Sequence, residues 1–183
     1  AFAVAVANES EVLQNCIGFI DGTKIAIARP PGFIQRAKYL GHKRVNCLKY
    51  QFISAPDGLA LRYTGPVEGR RHGMAIFSES GMEEALAEIL LINGIQYCIY
   101  GDSAYVLREY LMTGFYGIDL TREQATFNKA MSRSRVTIEW IFKDIKKYLN
   151  HAAYPRKLAF CRTLVEMLYG TSIILWNFRC CCT

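Results

Sequence analysis

Short apolar runs alternate with turn signals through the first two thirds of the chain, and one long amphipathic run follows them. Ile17-Gly18-Phe19-Ile20 and Lys24-Ile25-Ala26-Ile27-Ala28 read as one buried strand over 17–28, interrupted at Asp21-Gly22 by a small turn. Strands near 49–55 and 59–64 flank Pro56-Asp57-Gly58, and an Asp-Gly pair between apolar runs is a strong hairpin signal. The pattern predicts a helix near 81–92, a strand over 95–100 that ends at Gly101, and a second helix over 104–112. Between Asn128 and Asn150, Ile138, Ile141, Phe142, Ile145 and Leu149 recur at helical spacing, which predicts a long helix with one face in the core. Leu164 to Phe178 is apolar but broken by Glu166, Gly170 and Asn177. It is too short and too mixed to span a bilayer and reads as a core helix packed back on the sheet.

Composition narrows the class. With 183 residues, 51% hydrophobic and 21% charged, the chain is long enough for one domain with a proper core, and its composition reads as folded and not as disordered. A formal charge of +6 and a pI near 9.0 favour a polyanionic partner. Arg29, Arg36, Lys38, Lys43, Arg44, Lys49, Arg62, Arg70 and Arg71 concentrate in the first half, where a basic solvated face is the plain alternative to phosphate contact. A second basic run, Lys143, Lys146 and Lys147 with Arg156 and Lys157, follows Glu139.

Several chemistries drop out. The histidines at 42, 72 and 151 show no zinc spacing, and His72 reads as a surface residue or one that supports a ligand from behind. No Cys-x-x-Cys pair occurs, and Cys98 inside an apolar strand reads as a reduced, buried thiol, which points to a reducing compartment. Adjacent cysteines cannot easily serve one tetrahedral metal, so Cys180-Cys181-Cys182 reads as a tail over 180–183. Residues 1–15 read as a lead-in to a domain over 16–179; they begin without methionine and lack the charged flank and long apolar core of a signal peptide, so the chain is expected to be a piece of a longer protein. No repeat, Gly-rich nucleotide loop or helix-turn-helix is evident.

Three acidic residues stand in distinct contexts: Asp21 in Ile20-Asp21-Gly22-Thr23, Asp102 after the strand that ends at Gly101, and Glu139 on the long helix beside its apolar face. An ionised aspartate among buried strand residues is costly unless it is hydrogen-bonded or binds a cation. The carboxyl edge of a strand is where α/β sheets generally place ligands. If folding brings them together, these hard oxygens suit two divalent ions, Mg²⁺ or Mn²⁺, in phosphoryl transfer on nucleic acid. Each residue has a simpler reading as well: Asp21 as a turn cap with Gly22, Asp102 as the N-cap of a helix starting near Ala104, Glu139 as a surface partner of Arg135 and Lys143.

The motifs together resemble the PIF/Harbinger transposases of the DDE superfamily endonuclease group. The resemblance runs from about Cys16 to about Tyr148. It is carried by Ile20-Asp21-Gly22-Thr23 followed by a strand and Pro30, Asn46 with Tyr50-Gln51, Gly65-Pro66 through His72 with Phe77 and Ser80, Gly101-Asp102-Ser103-Ala104-Tyr105, Phe127-Asn128, and Arg135, Glu139, Phe142 and Lys146. It implies an α/β ribonuclease H-like fold, a mixed sheet with helices on both faces. It also implies an Asp21-Asp102-Glu139 metal triad. Helical spacing puts Lys143 and Lys146 near Glu139, where with Arg135 they are expected to meet DNA phosphate. The activity implied is DNA strand cleavage and transfer in the nucleus, beside a separate Myb-like DNA-binding protein. A homo-oligomer is left open, and no membrane partner is expected. One departure stands out: members usually carry His-Asp where this chain reads His72-Gly73. That departure favours an alternative, a domesticated, catalytically inactive module that binds DNA or protein.

Overall fold

The structure is a computed structural model that describes residues 2–10, 13–148 and 164–182. Leu149, Asn150, His151, Arg156, Lys157 and Cys161 lie outside the described residues. In chain order the elements are α1 (Phe2–Ser10), β1 (Cys16–Ala26), α2 (Ile34–Lys38), β2 (Tyr39–Leu40), β3 (Val45–Ser54), β4 (Ala60–Glu68), α3 (Gly73–Glu79) and α4 (Met82–Ile89). There follow β5 (Leu91–Ile92), β6 (Ile95–Gln96), β7 (Cys98–Gly101), β8 (Leu111–Thr113), α5 (Arg122–Tyr148) and α6 (Val165–Cys182).

β1 is the middle of a six-stranded mixed sheet in the order β2-β3-β1-β7-β8, with β4 also on the outer side of β3. It pairs antiparallel with β3 and parallel with β7, and β7 pairs parallel with β8. Side chains of a strand alternate between the two sheet faces, and here each face has its own core. Phe19, Ile25, Tyr50, Phe52 and Tyr100 face α5 and α6, where Ile138, Phe142 and Tyr169 meet them. Ile20, Ile53 and Ile99 face the other way, toward Phe77 of α3 and Met82 and Leu86 of α4. The fold is therefore the ribonuclease H-like α/β arrangement, with helices on both faces of a curled mixed sheet.

Several elements differ from the sequence expectation. β1 is one unbroken strand: its ladder to β3 runs from Phe19 to Ala26 without a turn at Asp21-Gly22, because backbone pairing on that side is complete. The helix expected over 104–112 is absent. Tyr110 O accepts Ile99 N–H at 3.0 Å, and β8 forms on β7 in its place. The helix expected over 81–92 ends at Ile89, and Leu91–Ile92 pair with Ile95–Gln96 around Asn93-Gly94, both at positive φ as a tight hairpin requires. α5 starts six residues early, on a capping box: Gln124 N–H donates to Thr121 Oγ1 at 3.2 Å and Thr121 N–H to Gln124 Oε1 at 3.0 Å. Residues 2–10 form a helix that seats Val6 in the α5-side core, and α6 runs through Cys182, so the cysteine triplet belongs to its last turn. α6 buries Val165, Tyr169 and Ile173 on one side and leaves Met167, Ile174 and Phe178 exposed on the other.

Candidate active site

Strand parity sets the positions of the aspartates. Asp21 is two residues beyond Phe19, and Asp102 two beyond Tyr100, so both continue the rows of side chains that face α5. Parallel register pairs Phe19 with Tyr100, which brings the two carboxylates to neighbouring strands at one end of the sheet. Asp102 caps no helix. It stands just past the end of β7, where its Oδ1 accepts Ala104 N–H at 3.0 Å and its carbonyl accepts Tyr105 N–H at 3.2 Å, a local turn. Gly101 before it is closely packed: a Cβ there would meet Tyr105 Cδ2 at 2.8 Å and Ile20 Cγ2 at 2.9 Å.

α5 crosses this end of the sheet on the same face. Spacings of seven, four and seven residues put Asn128, Arg135, Glu139 and Lys146 on one stripe of the helix. Arg135 is 114 residues from Asp21 in sequence and bonds it at 2.7 Å, Nη1 to Oδ2; its Nη2 reaches Glu139 Oε1 at 2.8 Å. The guanidinium thus ties the strand carboxylate to the helix carboxylate. Asp21 and Arg135 are largely buried, with 18% and 22% of their side chains exposed, whereas Glu139 is half exposed at 51%.

Burial raises the Asp21 pKa above the usual carboxylate range; the Arg135 guanidinium and the Gly22 N–H, 2.7 Å from Oδ1, oppose that rise, while Asp102 and Glu139 add to it. The neighbouring carboxylates of Asp102 and Glu139 therefore contribute to a raised proton affinity at Asp21 that the Arg135 guanidinium only partly offsets.

Asp21, Asp102 and Glu139 all line one cavity of about 660 Å³. Lys146 lines it too and reaches Thr23 Oγ1 at 3.5 Å, while Lys143 is exposed one turn beyond Glu139. His72 is exposed just ahead of α3 and caps it with no side-chain bond. Gly73 lines the cavity, and the nearest atom to a Cβ built there is Tyr105 Oη at 4.0 Å, so a larger residue fits at the position where the usual aspartate is missing.

Sequence reasoning gave Lys24 no place among the candidate cations, and named Lys49 only in a basic run and Gln51 and Tyr105 only within motifs. Lys24 and Lys49 sit directly opposite each other in the β1–β3 ladder and line the same cavity. Like charges opposite across a ladder are destabilising, and burial together with Lys24 lowers the pKa of both Lys49 and Lys146. The available signal was a lysine inside an otherwise apolar strand. Gln51 Nε2 donates to Tyr105 Oη at 2.7 Å and to Gly73 O at 3.3 Å, whereas its Oε1 is buried with no hydrogen-bond partner.

Among the described residues, no three His, Cys, Asp or Glu side chains are gathered closely enough to hold a metal ion as they stand. The donor chemistry nevertheless fits a hard divalent cation: three carboxylates and the unpartnered Gln51 oxygen line one cavity. What occupies two of those carboxylates here is the Arg135 guanidinium.

A ribonuclease H-like sheet with acidic side chains at its edge and lysines around them defines a nuclease-type phosphoryl-transfer protein. The family model of the DDE superfamily endonucleases matches residues 20–177, and the chain belongs to that family. That membership points to a transposase-type nuclease and implies a DNA substrate, in a family that generally uses divalent metals. Searches of the curated proteins and of the solved structures each found no significant match. Among the described residues no helix is long and apolar enough to cross a membrane.

Proposed function

We propose that this chain is the catalytic domain of a PIF/Harbinger-type transposase, cutting and joining DNA through Asp21, Asp102 and Glu139 with Mg²⁺ or Mn²⁺. The observation that carries the reading is the convergence of these three carboxylates on one cavity that Lys24, Lys49 and Lys146 also line. An acidic centre ringed by lysines suits a substrate whose phosphate is drawn in by cations while its reacting oxygens meet the acids.

Asp21 and Asp102, fixed on adjacent parallel strands, would hold the ions, with Glu139 joining from α5 once it leaves Arg135. Bound divalent ions would supply Lewis acidity toward the scissile phosphate and favour deprotonation of the attacking hydroxyl. Lys146 and Lys49, both partly desolvated, would bind the non-bridging phosphate oxygens, with exposed Lys143 farther along the strand. Arg135, released from the carboxylates, would face the same phosphate. Water would attack the scissile phosphorus and break its bond to the 3′ oxygen, leaving a 5′ phosphate and a free 3′ hydroxyl; that hydroxyl would then attack a target-strand phosphorus and displace the target's 3′ oxygen. The mass of basic side chains supports phosphate contact but reads no bases, which agrees with a separate Myb-like protein that selects the site in the nucleus.

The test is nicking of supercoiled plasmid by the purified protein with Mn²⁺, beside Asp102→Asn and an EDTA control. Nicking that vanishes in both controls supports the reading; nicking that persists in Asp102→Asn removes it. Two features favour a second reading, a domesticated DNA- or protein-binding module: Gly73 in place of an acid, and the Arg135 guanidinium that already neutralises two of the three carboxylates. A folded protein that binds DNA and never nicks it, with or without a partner, establishes the second.

A further inference from the structure

We infer that the loop from Gly114 to Leu120 is a preorganised DNA contact that seats an unstacked base beside the strand leading to Asp102; the inference rests on the nuclease reading above. β8 is paired in parallel with β7, Thr113 beside Gly101, so the loop leaves the sheet one strand over from Asp102, about 5 Å away by strand spacing. Any DNA strand lying across the carboxylates along that edge passes it.

The root of the loop is held from three sides. Asn128, on the α5 stripe that also carries Arg135 and Glu139, clasps the Phe115 backbone in both directions: Oδ1 accepts its N–H at 2.8 Å and Nδ2 donates to its carbonyl at 2.9 Å. Phe127 meets Phe115 edge to face at 5.3 Å and Tyr100 of β7 at 6.3 Å. Gly114 is pressed against the same groups, since a Cβ there would lie 3.0 Å from both Asn128 Oδ1 and Tyr100 Oη. The Phe127-Asn128 pair is thereby given a task that the cutting chemistry leaves unassigned, which is to fix this loop relative to the catalytic strands.

Beyond that root the loop offers apolar surface to nothing in the fold. Tyr116 is 91% exposed and Ile118 101%, against 47% for Phe115. Phe115, Phe127 and Thr121 line a shallow, mostly apolar hollow behind them. A held backbone that displays a tyrosine and an isoleucine is the pairing used to stack on, and wedge between, bases. The place of the loop root, one strand over from Asp102 in a chain of the DDE endonuclease family, selects DNA as the occupant. Asp119, Arg122 and Glu123 are exposed at the end of the loop, and Lys129 and Arg133 are exposed farther along α5.

The experiment compares binding of the whole chain, in EDTA, to an intact duplex and to the same duplex with one unpaired 2-aminopurine, for the natural protein and for Tyr116→Ser/Ile118→Ser. Both altered side chains are exposed, so the fold is not at stake; Asn128→Ala, which frees the loop root, is the second variant. The natural protein should prefer the unpaired site by about tenfold to a hundredfold, the value of one base stacked on an aromatic ring, and should change the 2-aminopurine emission. Both signs should vanish in the double variant while its affinity for intact duplex stays within about twofold, and Asn128→Ala should weaken the preference in the same direction. A preference that survives in the double variant overturns the inference, as does equal binding of both duplexes by a protein that still nicks plasmid. Failure to bind either duplex overturns the nuclease reading and this one with it.

Discussion

Replacing Arg135 by glutamine separates the structural use of the acidic cluster from its proposed use as a cation site. Glutamine keeps nearly the same helix propensity, so α5 itself is little affected. Removing one partner of a fully buried ion pair costs roughly 3–5 kcal/mol, and with 18% and 22% of the two side chains exposed the Asp21 pair should cost about half of that. The Glu139 contact, an i,i+4 pair with a half-exposed acid, adds only about 0.3–0.5 kcal/mol. A total near 2 kcal/mol lowers Tm by roughly 4–8 °C for a chain of this size.

The same interactions must be broken before a divalent ion can take Asp21 and Glu139. Without the guanidinium that step disappears, so Mn²⁺ should bind Arg135→Gln more tightly by up to about thirtyfold, the equivalent of about 2 kcal/mol. The assay is thermal unfolding in EDTA and across a Mn²⁺ titration, with calorimetric binding alongside. In EDTA the variant melts lower; as Mn²⁺ rises its Tm climbs faster than that of the natural protein and the gap narrows. Parallel Mn²⁺ responses in the two proteins would refute the reasoning, because guanidinium and metal would then not share the same carboxylates.

Two further outcomes follow from the same geometry. Since burial raises the Asp21 pKa above its unfolded value, its contribution to stability is fully present below the unfolded pKa and is lost as pH rises through the folded pKa. Asp21→Asn in EDTA should therefore melt above the natural protein at neutral pH and converge with it as pH falls into the acid range, and a gap that widens on acidification would show the shift to have the opposite sign. Gly73→Asp places a carboxylate on the cavity wall where a Cβ has open room, at the first turn of α3 where negative charge is favoured. Calorimetry should show Mn²⁺ binding tighter by about 10- to 100-fold, the usual weight of a supporting group around a metal, and an unchanged affinity would mean that position 73 does not face the ions.

The sequence alone determined the elements whose signal is local. Asp57-Gly58 closed the β3–β4 hairpin, and Gly58 N–H to Ala55 O at 3.1 Å is that turn. The periodicity of Ile138, Ile141, Phe142 and Ile145 marked the buried face of α5, all four of which are buried. The motifs named the DDE superfamily endonuclease group, and alternation placed Asp21 and Asp102 two residues beyond core side chains, enough to send them to one face once the strands pair. Even the true start of α5 was written in Thr121-Arg122-Glu123-Gln124, a capping box that precedes the apolar repeat.

Only the tertiary structure could decide the rest. Residues 104–112 carry good helix formers, yet pairing with β7 drew Leu111–Thr113 into a strand, because a ladder on an open sheet edge outweighs a few tenths of a kcal/mol per residue of helix propensity. The Asp-Gly at 21–22 reads as a turn wherever it is met, and became strand because β3 satisfies the backbone on one side throughout. The facing lysines at 24 and 49 depend on a register that no local pattern specifies. Arg135 meeting Asp21 across 114 residues is likewise a product of chain crossing, as is the grip of Asn128 on Phe115: local physics gives each residue its element, and only the packing of α5 over the sheet edge gives it a partner.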